Sequence, residues 1–368
     1  MKTSTDVVVI GGGVIGLALA RELDLRGCDV VVVERGRTGD ESSSAAAGLL
    51  SAQSDAESAS PFFDLARESR DLYPEWAADV EEETGVGVGW RRTGVLRLGS
   101  PESLERFAWQ LEAGLPVEPL EVPEIGRRSG GRAAPDFRHG IFFPDDAVVD
   151  NRRLVRALRI CLDRRGVEVA EGVSATRFLL EAGRCRGIET TAGTVHSRAV
   201  VDSAGAWANF DETLPFEIPV EPVRGQIVEL TDEAPFPTVL ASDDVYLVPR
   251  PNGRILVGAT VERVGFRKEV TAGAVAGLLT AALVLAPSLE NARVSDAWAG
   301  LRPGTPDGLP IVGESAVPGL YLAAGHFRNG ILLAPLTAVF LADVLLGGTG
   351  GAPPLFSPER FVESARAG

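Results

Sequence analysis

Short apolar runs, each closed by glycine or a carboxylate, punctuate this chain and set the expected order of elements. Asp6 leads into Val7-Val8-Val9-Ile10, a pattern suited to a parallel strand covered on both faces. Gly11-Gly12-Gly13-Val14-Ile15-Gly16 follows, then a helical stretch over 17–23 that stops near Gly27, then a second strand over 30–33 closed by Glu34. Further on, the pattern predicts a helix over 151–164 and strands over 167–169 and 199–202. Tyr246–Pro249 and 255–258 read as neighbouring strands joined by the turn Arg250-Pro251-Asn252-Gly253. Leu320–Ala324 is the last strand and 330–346 the last helix. The stretch 272–286 is apolar almost throughout and predicts a helix that is buried or lies in an interface. βα signals at both ends, with a more antiparallel middle, predict two domains interleaved along the chain.

Composition narrows what such a fold serves. Among 368 residues, 36 Lys+Arg stand against 51 Asp+Glu, a net charge of −15, with 45% hydrophobic residues. That balance suits a folded chain of about two domains. It argues against nucleic-acid binding and against a polybasic membrane anchor. Cys28, Cys161 and Cys185 are too scattered for a disulfide framework or a metal motif, and His139 and His196 sit in no ligand cluster, so no metal is expected. The first residues carry no leader pattern, and the two most apolar stretches fall short of the roughly 20 residues of a spanning helix. A cytoplasmic protein with no membrane partner is the expectation.

Gly11-x-Gly13-x-x-Gly16, after a strand and opening a helix, is a dinucleotide-binding pattern. One glycine allows the tight turn, one lets backbone amides approach a pyrophosphate, and one allows close helix–strand packing. The pyrophosphate meets the helix N-terminus, where Val14 and Ile15 lie, and Glu34 is placed to accept bonds from ribose hydroxyls. A carboxylate there disfavours NADP, but the motif alone does not separate FAD from NAD. Three further segments favour FAD. Ser43, Ser44, Ala46, Ala47 and Gly48 form a small-residue loop able to lie against phosphates and a flat ring. Ala204, Gly205 and Trp207 end a strand in small residues, suiting close approach of an adenosine. His326, Arg328 and Asn329 lead into a helix beginning Gly330-Ile331-Leu332, whose N-terminus can stabilise negative charge on a reduced flavin.

The chain resembles the glycine oxidase branch of the D-amino-acid oxidase superfamily, which are FAD-dependent amine oxidases. The resemblance spans essentially the whole length. It is carried by VVVIGGGVIG (from Val7), SSAAAGLL (from Ser43), YLVPR (from Tyr246), VGAT (from Val257), AWAGLRPGTPDGLPIVG (from Ala297) and AAGHFRNGILLAP (from Ala323). It implies an α/β fold, a Rossmann-like FAD-binding domain (1–85, 150–215, 297–368) interleaved with an antiparallel-sheet substrate domain (86–149, 216–296). It also implies oxidative deamination of a small amino acid to an imine and hydrogen peroxide, and a product that can feed thiamine thiazole synthesis. Arg35, Leu49 and Val173 join the implied cofactor contacts.

For the substrate, Arg302 in Gly300-Leu301-Arg302-Pro303 offers a guanidinium fork that takes a carboxylate bidentately. Tyr246 can add a hydroxyl, and Arg328 lies beside the expected flavin edge; the family's substrate residues match all three. Hydride transfer needs orientation, so no catalytic acid or base is expected. Leu49 and Val261 stand where the family carries methionines, and Asp244 where it carries a histidine, which leaves glycine, sarcosine, D-alanine, D-proline and iminodiacetate open. Arg91, Arg92 and Arg263 are candidates for a second carboxylate, against the simpler reading as solvated side chains. No cysteine or histidine stands in the Ser42–Gly48 loop, so FAD is expected to be non-covalent. The pocket is expected to be built around arginines, against the sign of the surface. A homo-oligomer (dimer or tetramer) is expected, with oxygen as electron acceptor. The alternatives are a dehydrogenase passing electrons to a quinone and a flavoprotein subunit of a larger complex.

Overall fold

Residues 1–234, 236–348 and 352–361 are described by a computed structural model. Residues 349–351 and 362–368, part of the expected last FAD-binding segment, lie outside them.

The apolar runs do become the centre of a sheet. In spatial order it holds Leu320–Ala324, Gly193–Asp202, Ser4–Ile10, Val30–Glu34 and Glu168–Glu171, all parallel, with Ile311–Glu314 antiparallel on the outer side of Leu320–Ala324. Both faces are covered, which is why the first strand is apolar at every central position. Val7 and Val9 pack under the helices Val14–Leu25, Asn151–Arg165 and Gly330–Leu345, whereas Val8 and Ile10 pack against Phe178, Ile188 and Val195 of an antiparallel hairpin extension.

The second sheet runs Arg293–Gly304, Glu221–Thr231, Arg254–Gly258, Tyr246–Pro249, Val239–Ala241, Val95–Gly99, His139–Phe143 and Glu118–Glu121. Its pairs are antiparallel except Val239–Ala241 with Val95–Gly99. The expected 246–258 hairpin forms, with Tyr246 opposite Gly258 and the turn carried by left-handed Asn252 and Gly253.

The longest helix, Pro61–Thr84, has no clean apolar stripe to announce it. Its buried positions include Ser69 and Arg70, and Pro74 sits inside it. Ser60 caps its start by accepting the Phe63 N–H at 3.1 Å, and left-handed Gly85 ends it. The apolar helix Ala272–Leu285 buries only Leu278, Ala282 and Leu285; Val284 is 63% exposed. No described helix is long and apolar enough to cross a membrane.

Asp202 closes its strand fully buried. Oδ1 accepts the Ala204 N–H at 2.9 Å, Oδ2 has no partner, and burial pushes the carboxyl up to about 7. An unfolded aspartate ionises near pH 4. The folded chain therefore binds the extra proton between about pH 4 and 7, and stability falls as pH rises through that window. Asp202→Asn removes this loss. Its melting temperature should exceed the parent's by several degrees at pH 8, a gap bounded by about 4 kcal/mol, and the gap should close towards pH 4. Parallel melting curves at both pH values would refute the ionisation.

Candidate active site

A cavity of about 680 Å³ lies between the two sheets, and its lining joins the glycine loop to Tyr246 and Arg302. At the loop the backbone is bare because nothing larger fits. A Cβ on Gly11 (φ 102°) would lie 2.4 Å from the Ser203 carbonyl oxygen, and one on Gly16 would lie 2.0 Å from the Gly11 carbonyl oxygen. Gly13 is different: a Cβ there meets only the Ser43 hydroxyl, at 3.2 Å, so it keeps approach open rather than packing tight. The Glu34 carboxylate accepts the N–H groups of Gly12 (2.7 Å) and Gly36 (2.8 Å), which fixes it at the cavity wall with lone pairs to spare. Beside it, the Arg35 guanidinium stacks 3.6 Å over the Trp207 ring, and Phe266 packs on Trp207. This donor set, helix N-terminus and flat wall fit a dinucleotide.

The small-residue loop is held from below by residues far away in sequence. Buried Arg250 donates to the carbonyls of Val149 (2.9 Å) and Ala47, and Asn151 donates to the carbonyls of Ser43 (2.7 Å) and Ser44 (3.2 Å). Burial lowers the Arg250 guanidinium to about 10. Trp298 Nε1 donates to the Ala45 carbonyl at 3.0 Å, and Gly300 lets its strand pass so close that a Cβ would sit 2.4 Å from that of Ala45.

Arg302 and Tyr246 meet at the other part of the cavity. Arg302 donates to the Thr260 carbonyl at 2.9 Å and lies against bare Gly225, where a Cβ would fall 2.2 Å from its Nη1. Tyr246 lies against Gly258 in the same way, its hydroxyl 2.6 Å from the missing Cβ. Burial lowers the affinity of Arg302 for its proton, a loss the Tyr246 hydroxyl counters only in part, and burial raises Tyr246 against the pull of Arg302 and Arg328. Behind them, Glu262 accepts bonds from the Thr260 hydroxyl (2.6 Å) and Gln226 Nε2 (2.7 Å) and pairs with Arg224. Burial alone would raise Glu262, but those bonds hold it at about 2.

The last loop enters the site through strain and burial. Phe327 is left-handed (φ 46°), and its N–H donates to the Pro303 carbonyl at 2.9 Å, tying this loop to the strand that carries Arg302. His326 is buried, bonded to the Thr337 hydroxyl at 3.1 Å, and burial lowers it to about 3, so it stays neutral. Asn329 adds no side-chain cap to Gly330–Leu345, which leaves first-turn N–H groups available beside the cavity. Arg328 reaches Asp55 at 3.6 Å.

Most of the expected site residues line this cavity: Gly11, Gly13, Val14, Ile15, Glu34 and Arg35 at the glycine loop; Ser43, Ala46, Ala47, Gly48 and Leu49; Ala204, Gly205 and Trp207; His326, Arg328, Asn329, Gly330 and Ile331; and Tyr246 with Arg302. Gly16, Ser44, Val173 and Leu332 do not. Gly16 packs on Gly11, Ser44 faces Asn151, Val173 donates its N–H to the Glu34 carbonyl, and the Leu332 carbonyl is taken by Ser69. Asp244 and Val261 also border the cavity, both exposed. Arg91, Arg92 and Arg263 do not; they meet the Pro249 carbonyl, Asp145 and Glu221.

The expectation of an arginine-built pocket needs correction. Arg35, Arg97, Arg106, Arg302 and Arg328 share the lining with Glu34, Glu41, Asp55, Glu57, Asp243 and Asp244. Arg97 and Arg106 both pair with Asp243, and Arg35 with Glu41. Arg302 alone among these five has no carboxylate partner among the described residues; only the Thr260 carbonyl and the Tyr246 hydroxyl serve it. Asp55, Arg97 and Arg106 carry no sequence signal, and Arg250 is legible only as the start of a turn.

Comparison with known proteins agrees with this geometry. Residues 6–344 match the DAO family, described as FAD dependent oxidoreductase. The chain is 38% identical over 348 residues to the bifunctional protein ThiO/ThiG of Nostoc sp., covering 93% of this chain and 52% of that one, so it spans about half the length of such two-part relatives. It is 37% identical over 378 residues to the glycine oxidase of Pseudomonas putida, covering 99% of this chain and 100% of that one. The crystal structure of glycine oxidase from Geobacillus kaustophilus superposes with a TM-score of 0.92 at 34% identity, over 97% of this chain and 98% of that one. The chain therefore belongs to the FAD dependent oxidoreductase (DAO) family.

Proposed function

We propose that the protein oxidises a small amino acid, glycine, sarcosine or a small D-amino acid, to its imine. The observation that carries this reading is Arg302, a cavity-lining guanidinium served, among the described residues, only by neutral partners; a substrate carboxylate supplies the missing anion. Its Nη1 is spoken for by Thr260, which leaves the rest of the fork for the carboxylate, and Tyr246 adds a hydroxyl beside it. Fixing the carboxylate orients the α-carbon, and orientation is most of what this chemistry asks of the chain. FAD, when bound, supplies acceptance of a hydride and passage of the electron pair to oxygen as hydrogen peroxide. Glycine oxidase of Pseudomonas putida and the ThiO/ThiG protein of Nostoc support the substrate class and a role in thiamine synthesis.

His326 is neutral and Tyr246 is held above its usual range, so neither titrates near neutrality. The pH profile then reports the substrate amine, which must be neutral to lose hydride, and activity rises towards alkaline pH. Anaerobic mixing of the yellow protein with glycine, sarcosine, D-alanine, D-proline and iminodiacetate tests the reading. Bleaching by a monocarboxylic member is expected; a flavin unmoved by the whole panel rejects it. Acid precipitation should release the colour, because the flavin is held without a covalent bond.

The exposed apolar face of Ala272–Leu285, with Val284 outermost, favours a second copy of the chain as its cover. Light scattering on the active protein should give a dimer or tetramer. An active monomer would reject this, and an inactive one would favour a subunit of a larger complex.

A further inference from the structure

The cavity that holds Arg302 and Tyr246 also contains carboxylates that the reaction does not use, and Asp55 is the one that acts on Tyr246. Asp55 lines the cavity, pairs with Arg328 at 3.6 Å, and lies close enough to Tyr246 to raise its hydroxyl while Arg302 and Arg328 lower it. Of the charges that act on the hydroxyl most strongly, two are guanidiniums and one is a carboxylate, +1 in sum. An amino acid with a neutral amine carries −1, so the site is matched to one carboxylate per substrate.

The placement of Asp55 is built rather than incidental. It sits on an irregular segment whose backbone is fixed from within the protein. The fully buried Asp146 carboxylate accepts the N–H groups of Gln53 (3.1 Å) and Ser54 (2.8 Å), and Arg70 donates to Gln53 Oε1 at 2.7 Å. Buried Gln110 closes the turn, donating to the carbonyls of Gln53 (2.9 Å) and Ala56 (3.1 Å). Arg97, a cavity-lining residue itself, reaches the Ser54 carbonyl at 3.4 Å. These buried groups hold the chain on either side of Asp55 and none of them pairs with its carboxylate. The side chains of Arg328 and Asp55 are 49% and 40% exposed. A pair so wet opens easily, so Asp55 acts as an exchangeable occupant of Arg328 rather than as a brace.

We propose that Asp55 is a specificity-determining residue, which occupies Arg328 and selects monocarboxylic over dicarboxylic amino acids. The proposal rests on Arg302 and Tyr246 being the carboxylate clamp. A substrate with a second carboxylate must displace Asp55 to reach Arg328, and meets its like charge while doing so. Neutralising Asp55 leaves +2, matched to a dianion.

The test compares sarcosine with iminodiacetate, which is the same secondary amine bearing a second carboxylate. It also compares their inert ether counterparts, methoxyacetate and diglycolate, through perturbation of the bound flavin's absorbance. In the FAD-loaded Asp55→Asn protein, affinity for diglycolate relative to methoxyacetate should rise at least tenfold over the parent, and the iminodiacetate to sarcosine ratio in flavin reduction should rise with it. Asp55→Glu should return both ratios towards the parent, and adding Arg328→Gln to Asp55→Asn should abolish the gain. Ratios that move less than twofold overturn the proposal, as does a gain that survives Arg328→Gln. A parent that reduces with no amino acid, while Asp55→Asn still gains diglycolate, rejects the proposed function and leaves the selectivity standing.

Discussion

Replacing Arg302 by alanine should lower kcat/KM for glycine or sarcosine by roughly 10²- to 10³-fold, mostly through KM. Among the described residues the guanidinium is the one cavity-lining arginine without a carboxylate partner, whereas Arg328 is already occupied by Asp55. Truncating one member of a buried charge pair typically costs about 2–5 kcal/mol, which brackets that loss. Part of the cost arises because the substrate carboxylate is left facing Tyr246 and the bare backbone of Gly225 without the guanidinium that faced it. Arg302→Lys should recover only part of the loss, since a point charge cannot replace a two-pronged fork. Glycine ethyl ester supplies the control, because an ester has no anion to clamp. If Arg302→Ala penalises the ester as heavily as the acid, Arg302 shapes the site instead of binding the carboxylate.

What could be read in the sequence was what is encoded locally. The glycine loop stood out because its spacing is written within six residues, although the contacts that demand it are only partly local: Gly16 meets the Gly11 carbonyl, whereas Gly11 meets that of distant Ser203. Arg302 and Tyr246 stood out because each sits in a distinctive short segment. The supports of those segments were invisible for the opposite reason. Arg250 holds Ala47 across 203 residues, Asn151 holds Ser43 across 108, and Glu262 acts on Arg302 only through Thr260. No spacing rule joins such positions; only the folded sheets bring them together. Asp55 was hidden in another way. An aspartate on an irregular segment looks like any solvated carboxylate until Asp146 and Gln110 are seen fixing the chain around it. The helix Pro61–Thr84 was missed because its buried face includes Arg70 and Ser69, which bond to Gln53 and the Leu332 carbonyl instead of packing as hydrocarbons.

The three glycines of the loop should separate cofactor approach from packing. Gly13→Ala should weaken FAD binding roughly 10- to 100-fold while leaving the apoprotein nearly as stable as the parent. The added methyl meets nothing but the Ser43 hydroxyl, and Gly13 lines the cavity at the helix start, where the glycine pattern calls for close approach of a pyrophosphate. A hydrogen bond to a charged group contributes about 1.5–3 kcal/mol, so holding the phosphate off one amide produces a loss of that order. Alanine is also a poorer helix cap than glycine, by about 1 kcal/mol at most. Gly16→Ala should behave differently. Its methyl would sit 2.0 Å from the Gly11 carbonyl oxygen and 2.7 Å from Ser203 Oγ, a clash between helix and strand that no rotamer relieves. That variant should lose several degrees of melting temperature even without FAD. Flavin titration and thermal melting of the two apoproteins decide the matter: equal melting losses would mean that Gly13, like Gly16, serves packing alone.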